Sequence, residues 1–223
     1  MNKNLFLEAI LKFLLGVVLV GLLIFLPAGT LHFPAGWLLM GILFVPMFLA
    51  GLVMLGKNPQ LLQSRLKAKE TKREQDMVVK LSGLMFIAGF VVAGLDFRFG
   101  WLLLPGWVKW FGAAEFLIAY CLYAEVLREN TYLSRTIEVQ ENQTVVDTGL
   151  YGIVRHPMYA VTLLLFLSMP LVLDSLLSFL CFLPYPFLIA KRLLNEEAFL
   201  VKELPGYQAY KQKVKYRLIP GIW

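Results

Sequence analysis

Charge is what this chain has least of. Asp, Glu, Lys and Arg make up 16% of its 223 residues, against roughly 25% in a water-soluble domain. Apolar residues fill the difference, reaching 59%, where roughly 45–50% is ordinary. With a mean hydropathy of +0.69, the composition excludes an ordinary soluble fold and points to the bilayer. Cysteine is also scarce. Cys121 and Cys181 sit far apart in apolar stretches, with no CxxC spacing, which excludes a disulfide framework and a zinc site. Only two histidines are present, so no His-rich metal cluster is expected either. The net charge of +6 raises the question of nucleic acid. The basic residues separate apolar runs instead of forming an aromatic-interleaved patch, so no nucleic-acid partner is expected. Internal repeats and low-complexity segments are absent.

What remains is a series of long apolar runs. A spanning helix needs about 20 such residues. Residues 5–26 form the first run, interrupted near its start by Glu8 and Lys12 and closed by Pro27-Ala28-Gly29. Its apolar core is longer than a signal-peptide core and no small-residue cleavage site follows, so it is expected to stay as a helix. The second run, 34–55, opens on Pro34, and the two are expected to pair as a tight hairpin. Residues 56–80 are polar, with Lys57, Arg65, Lys67, Lys69, Lys72, Arg73 and Lys80 outweighing Glu70, Glu74 and Asp76. The positive-inside rule puts this loop, and with it the amino terminus, in the cytoplasm. A third span is expected over 77–95, with Asp96-Phe97-Arg98-Phe99-Gly100 marking its far end, then an aromatic interfacial segment over 101–110 and a fourth span over 110–127. Glu115 inside that fourth span is read as structural, paired with a neighbouring helix or protonated.

Residues 128–156 are polar, partly extended over 136–139, and belong on the cytoplasmic side. The last apolar stretch, 157–190, is too long for one span and short for two. Asp174-Ser175 inside it favours a compact hairpin, with a fifth helix to Val172 and a sixth from Ser175; one kinked helix, giving five spans, is the alternative. A cytoplasmic tail, 195–223, carries Tyr207, Tyr210, Tyr216 and Trp223 after a Pro205-Gly206 turn, and reads as a helix lying on the membrane surface. The expected fold is therefore all-α and multi-pass. It is one membrane-integrated domain, 1–223, with 1–127 as scaffold and 128–223 as the cofactor-binding and catalytic portion. In a bacterial source the membrane would be the inner one.

Polar groups are so few that two clusters stand out. Arg155-His156-Pro157-Met158-Tyr159 sits at the start of the fifth helix, where unpaired N–H groups and the helix dipole favour an anion. In Arg192-Leu193-Leu194-Asn195-Glu196-Glu197, Arg192 and Glu196 share one helix face and Glu197 turns to the next. Each has a plain alternative: a headgroup-anchoring Arg with a capping His, and an intrahelical ion pair. Together, cationic donors and carboxylates walled by Tyr151, Tyr159, Tyr207 or Tyr210 suit a zwitterionic, positively charged, aromatic-bearing cofactor. S-adenosylmethionine is such a molecule.

The stretch Gly149-Leu150-Tyr151-Gly152-Ile153-Val154-Arg155-His156-Pro157-Met158-Tyr159, with Glu196-Glu197, Gly206-Tyr207, Tyr210 and Arg217-Leu218-Ile219-Pro220, resembles the isoprenylcysteine carboxyl methyltransferase family. Phospholipid methyltransferases share the general pattern. The resemblance covers the carboxyl-terminal part of the chain. Where that family often has Gly soon after the motif Tyr, this chain has Ala160-Val161. The resemblance implies an integral-membrane enzyme that binds S-adenosylmethionine on the cytoplasmic side and takes a lipophilic or prenylated acceptor from the bilayer. The cofactor-binding positions it implies are Gly149, Leu150, Tyr151, Val154, Arg155, His156, Pro157, Tyr159, Glu196, Glu197 and Tyr207. Arg192 falls where the acceptor is oriented. If the acceptor is an amine or thiol, His156 or Glu197 is the candidate base; a carboxylate acceptor needs none. The tail also resembles that of membrane sterol reductases, which use NADPH, but the adjacent carboxylates suit a phosphate-rich cofactor poorly. A non-enzymatic lipid-binding protein is a third reading.

Overall fold

The computed structural model describes residues 3–66, 73–134 and 136–223. Among these the chain is helical, and no strand forms beyond an isolated bridge between Leu103 and Ser175. The order is α1 (Lys3–Ala28), α2 (Pro34–Lys57), α3 (Pro59–Leu66), α4 (Arg73–Phe99), α5 (Gly106–Glu129), a 3₁₀ turn (Gly149–Gly152), α6 (Pro157–Val172), α7 (Leu176–Phe182), α8 (Tyr185–Glu203) and α9 (Tyr207–Lys213). Five helical stretches are long and apolar enough to cross a membrane: α1, α2, α4, α5 and the continuous Leu176–Glu203 run formed by α7 and α8. The shorter α6 makes a sixth apolar segment, roughly 24 Å long at 1.5 Å per residue.

The last apolar stretch is thus the expected hairpin. Leu173 ends α6, Asp174 takes a left-handed φ of 59°, and Ser175 caps α7 by accepting from the Ser178 amide at 3.1 Å. The third span's far end falls within the expected Asp96-Phe97-Arg98-Phe99-Gly100 segment, since α4 ends at Phe99, and Asp96 is fully buried. Its carboxylate accepts from the Ser175 hydroxyl at 2.5 Å and from the Leu102 amide at 2.8 Å. Burial is possible because both oxygens are satisfied.

Small residues set how closely the helices approach. A Cβ at Gly94 of α4 would lie 2.5 Å from the Ile24 carbonyl oxygen of α1, and one at Gly112 of α5 would lie 2.7 Å from Leu171 Cβ of α6. These glycines let α1 pack mainly on α4 and α5 mainly on α6. The expected tight α1–α2 hairpin is the weaker of α1's two contacts, because Gly94 gives α4 the closer backbone approach. Glu115, half-buried on α5, has no hydrogen bond or ion pair among the described residues.

The connections gather at two ends. At one, Leu104 N donates to Asp174 O at 3.0 Å, Lys109 pairs with Asp174 at 2.7 Å, and Phe33 stacks on Phe97 at 4.1 Å. At the other, Lys12 Nζ donates to Leu66 O at 2.7 Å, Arg65 donates to the Tyr123 hydroxyl, and Arg155 N donates to Tyr216 O at 2.9 Å. The helix expected on the membrane surface after Pro205-Gly206 is the short α9. Its apolar face is covered instead by the connector: Leu204, Tyr207, Tyr210 and Val214 pack with Val139, Val145 and Leu200.

Candidate active site

The second end holds a cavity of about 460 Å³, within the roughly 300–1,000 Å³ of small-molecule sites. Its walls differ in kind. Tyr151, Arg155, His156, Tyr159, Arg192, Glu196, Tyr207 and Tyr210 line it together with Asn130, Thr136 and Glu138 of the connector. Val78, Val79, Gly83 and Phe86 of α4, Met158 and Phe166 of α6, and Tyr185 and Ile189 of α8 give it an apolar flank. The ring of Phe86 meets Phe166 edge-on at 4.7 Å, and Phe166 lies 5.0 Å from Tyr185. Phe86 and Tyr185 belong to spanning helices and Phe166 to the shorter apolar α6, so the cavity joins a polar chamber to the apolar body of the bundle.

The two clusters singled out from sequence meet here. Pro157 keeps His156 out of the helical region, with φ −128° and ψ 61°. Arg155 N and His156 N pair with Tyr216 O and Arg217 O, both at 2.9 Å. The Arg155 guanidinium then donates to Val214 O at 2.7 Å, Lys215 O at 2.8 Å and Glu197 Oε1 at 2.6 Å. Arg217 Nε donates to Glu197 Oε2 at 3.0 Å, and its guanidinium lies over the Trp223 ring at 5.1 Å. His156 Nε2 is 3.4 Å from Glu197 Oε1 and 3.4 Å from the Tyr207 hydroxyl.

Glu197 is therefore enclosed by cations, its side chain only 4% exposed, and it does not line the cavity. It ties α8, the start of α6 and the tail into one body. Glu196, one residue earlier and about 100° round the helix, faces the cavity. It accepts from the Tyr159 hydroxyl, which in turn accepts from Arg192 Nε at 3.1 Å. Arg192, Tyr159 and Glu196 thus form a relay on the cavity wall.

Of the other positions read from sequence, Tyr151 and Tyr207 line the cavity, whereas Gly149, Leu150, Val154 and Pro157 stand behind it. Gly149 has φ 51°, and a Cβ there would collide with the Glu129 carboxylate, which accepts from the Leu150 amide at 2.9 Å. That grip fixes the 3₁₀ turn and aims Tyr151. Its carbonyl accepts from the Tyr210 hydroxyl at 2.7 Å, and its own hydroxyl is buried close to the Asn130 side chain. Burial holds Tyr151 and Tyr210 protonated well above the usual phenol range, and at Tyr207 the neighbouring Glu197 and Glu196 add to burial. These phenols remain hydrogen-bond donors at any physiological pH. Among the described residues, no cluster of His, Cys, Asp and Glu converges as metal ligands would.

Residues 107–205 match the phospholipid methyltransferase family. That is a family of integral-membrane methyltransferases that includes the isoprenylcysteine carboxyl methyltransferases, in agreement with the resemblance read from the motifs. No curated protein matches the chain. The match runs from α5 to the end of α8 and so takes in the cavity-lining residues from Tyr151 to Glu196. Tyr207, Arg217, and the α3 and α4 residues lie outside it. Sequence reasoning passed over Glu129, Asn130, Thr136 and Glu138, which sit in a connector without periodicity. It also passed over Arg65 and Phe86, read there only as loop charge and membrane-filling bulk.

Proposed function

We propose that the protein transfers a methyl group from S-adenosylmethionine to a lipophilic acceptor drawn from the bilayer, at a site facing the cytoplasm. The observation that carries this reading is the single cavity with a polar, motif-lined chamber and an apolar flank on spanning helices. Its donor set fits the cofactor's chemistry: a carboxylate, Glu196, for a cationic centre, and the Tyr151 hydroxyl for an oxygen or nitrogen acceptor. When bound, the cofactor supplies an activated sulfonium methyl group. The chain's own part is alignment and exclusion of water. Arg192, fixed through Tyr159, holds the acceptor's nucleophilic atom in line. Glu197, saturated by Arg155 and Arg217, keeps those walls in place and is poorly suited to take a proton. If the acceptor is an amine or thiol, His156 is the nearer base. The acceptor's own lone pair would take the methyl group, and the proton it sheds would pass to the His156 imidazole.

Titration of the detergent-purified protein with S-adenosylmethionine, S-adenosylhomocysteine and NADPH tests the reading. Binding of the first two is expected, and selective binding of NADPH would overturn it in favour of a reductase. Binding of none of them favours a lipid-binding role. The family match and the carboxylates Glu196 and Glu138 on the cavity wall both argue for the methyltransferase.

Glu196→Gln is expected to weaken S-adenosylhomocysteine binding about tenfold, the scale of a charge-assisted hydrogen bond worth at least about 1.4 kcal/mol. Wild-type affinity in this variant would remove Glu196 from the cofactor site. Orientation has its own test. Gln212 is exposed on α9, so Gln212→Cys, with Cys121 and Cys181 replaced, should react with an impermeant thiol reagent only after the membrane is opened. Labelling on intact cells would place the site outside.

A further inference from the structure

We infer that Arg65 reads an anionic group on the acceptor, so that the substrate is an anionic amphiphile, carrying a carboxylate or a phosphate at the cavity and a lipophilic tail along α4, α6 and α8. The inference deepens the proposed function, since it rests on the apolar flank being the acceptor's site.

Arg65 lines the cavity from α3, outside the part of the chain that matches the family. It is held there. The Asn58 side chain caps α3 by accepting from the Leu61 amide at 3.1 Å, Leu61 and Leu62 are buried, and Lys12 Nζ grips the Leu66 carbonyl at 2.7 Å. The guanidinium lies over the Tyr123 ring at 5.7 Å and donates to its hydroxyl. Tyr123 is set in turn by Tyr120, 6.4 Å away between ring centroids, whose hydroxyl donates to Leu43 O at 2.8 Å. A side chain with this much support is unlike a loose headgroup anchor, whose long stem keeps its rotamer freedom.

Charge supplies the rest of the argument. Arg155 is neutralised by Glu197, whereas the described hydrogen bond of Arg65 goes to a phenol, which carries no charge. A guanidinium that lines a cavity beside apolar helices favours an anion there. The carboxylates on the cavity wall, Glu138 and Glu196, belong to the connector and α8. Arg65 instead comes from α3, which directly precedes the apolar face of α4 formed by Val78, Val79 and Gly83. That places the anion at the head of the lipophilic flank.

The test compares binding within two pairs that share a tail: oleate with oleyl alcohol, and dioleoyl phosphatidic acid with dioleoylglycerol, each with S-adenosylhomocysteine saturating. Wild type should prefer the anionic member of at least one pair by about tenfold, the scale of one charge-assisted contact. Preference in the oleate pair alone marks a carboxylate acceptor, and preference in the phosphatidic acid pair alone marks a phosphate. Arg65→Leu should abolish the preference with S-adenosylhomocysteine affinity unchanged, and Tyr123→Phe should reduce it. Gly83→Phe adds a side chain where a Cβ meets nothing within 4 Å, and should weaken both members of a pair alike if they bind inside the cavity. No preference in wild type, preference surviving in Arg65→Leu, or full binding in Gly83→Phe would each overturn the inference. Loss of S-adenosylhomocysteine affinity in Arg65→Leu would overturn it too, because the anion read would then be the cofactor's. Failure of the cofactor titration, by contrast, sinks the methyltransferase reading and leaves an anion-selective lipid site standing.

Discussion

Glu197→Gln should cost the protein about 3 kcal/mol of stability, the lower end of what breaking a buried ion pair removes. The neutral amide would leave Arg155 and Arg217 facing each other without a counter-charge in a site where the Glu197 side chain is 4% exposed. On a scale of about 2–4 °C per kcal/mol for a chain of this size, the unfolding midpoint falls by roughly 10 °C. Glu196→Gln makes the contrast, since Glu196 is half-buried and faces the cavity. Its unfolding midpoint should stay within about 2 °C of wild type, as for most changes away from buried features. Thermal unfolding of both variants in the same detergent decides. A stable Glu197→Gln protein that has lost only cofactor affinity would mean that Glu197 is a ligand and not a clamp.

Arg192→Lys should lower turnover about tenfold or more, the scale of losing about 1.4 kcal/mol of transition-state stabilisation. S-adenosylhomocysteine affinity should stay near wild type. The lysine keeps the charge but loses the planar fork, and with it the Nε donor now 3.1 Å from the Tyr159 hydroxyl. Alignment of the acceptor then depends on a freely rotating ammonium. Single-turnover rate and cofactor affinity measured in one preparation separate the outcomes. Unchanged turnover would reduce Arg192 to an ion-pair partner, for which lysine suffices. Loss of both properties together would make it part of the cofactor site. Tyr159→Phe removes the hydroxyl that joins Arg192 to Glu196, and should show a milder form of the turnover loss.

The helices were legible because lipid exposure demands long uncharged runs, and the α6–α7 turn because Asp174-Ser175 interrupts one. Both motif clusters were legible because ionisable groups beside spanning helices are costly enough to stand out. Which Glu does what was not, since Glu196 and Glu197 differ only in helix phase, and phase has no meaning until the neighbours are placed. The partners that settle it, Arg155 and Arg217, lie 42 and 20 residues from Glu197. Arg65 was hidden by its company. In a loop full of lysines it counts as a topology signal, and only Tyr123, 58 residues on, turns it toward a cavity. The burial of Asp96 was not legible, because a carboxylate after an apolar run ordinarily marks water, and here the Ser175 hydroxyl and Leu102 amide take water's place.

The pairing of residues 155 and 156 with 216 and 217 also sets an order of events during synthesis. All six apolar segments leave the ribosome before the carbonyl groups that accept from Arg155 do, because these are 59 and 60 residues downstream. The membrane body can therefore be inserted while the cavity end is still open. A nascent chain halted anywhere between α8 and Val214 would carry the helices and the Arg-His-Pro corner without their closing strap. Such a chain leaves Arg155 paired with Glu197 but without its two carbonyl acceptors, and leaves the apolar faces of Val139 and Val145 without the cover that Val214 completes.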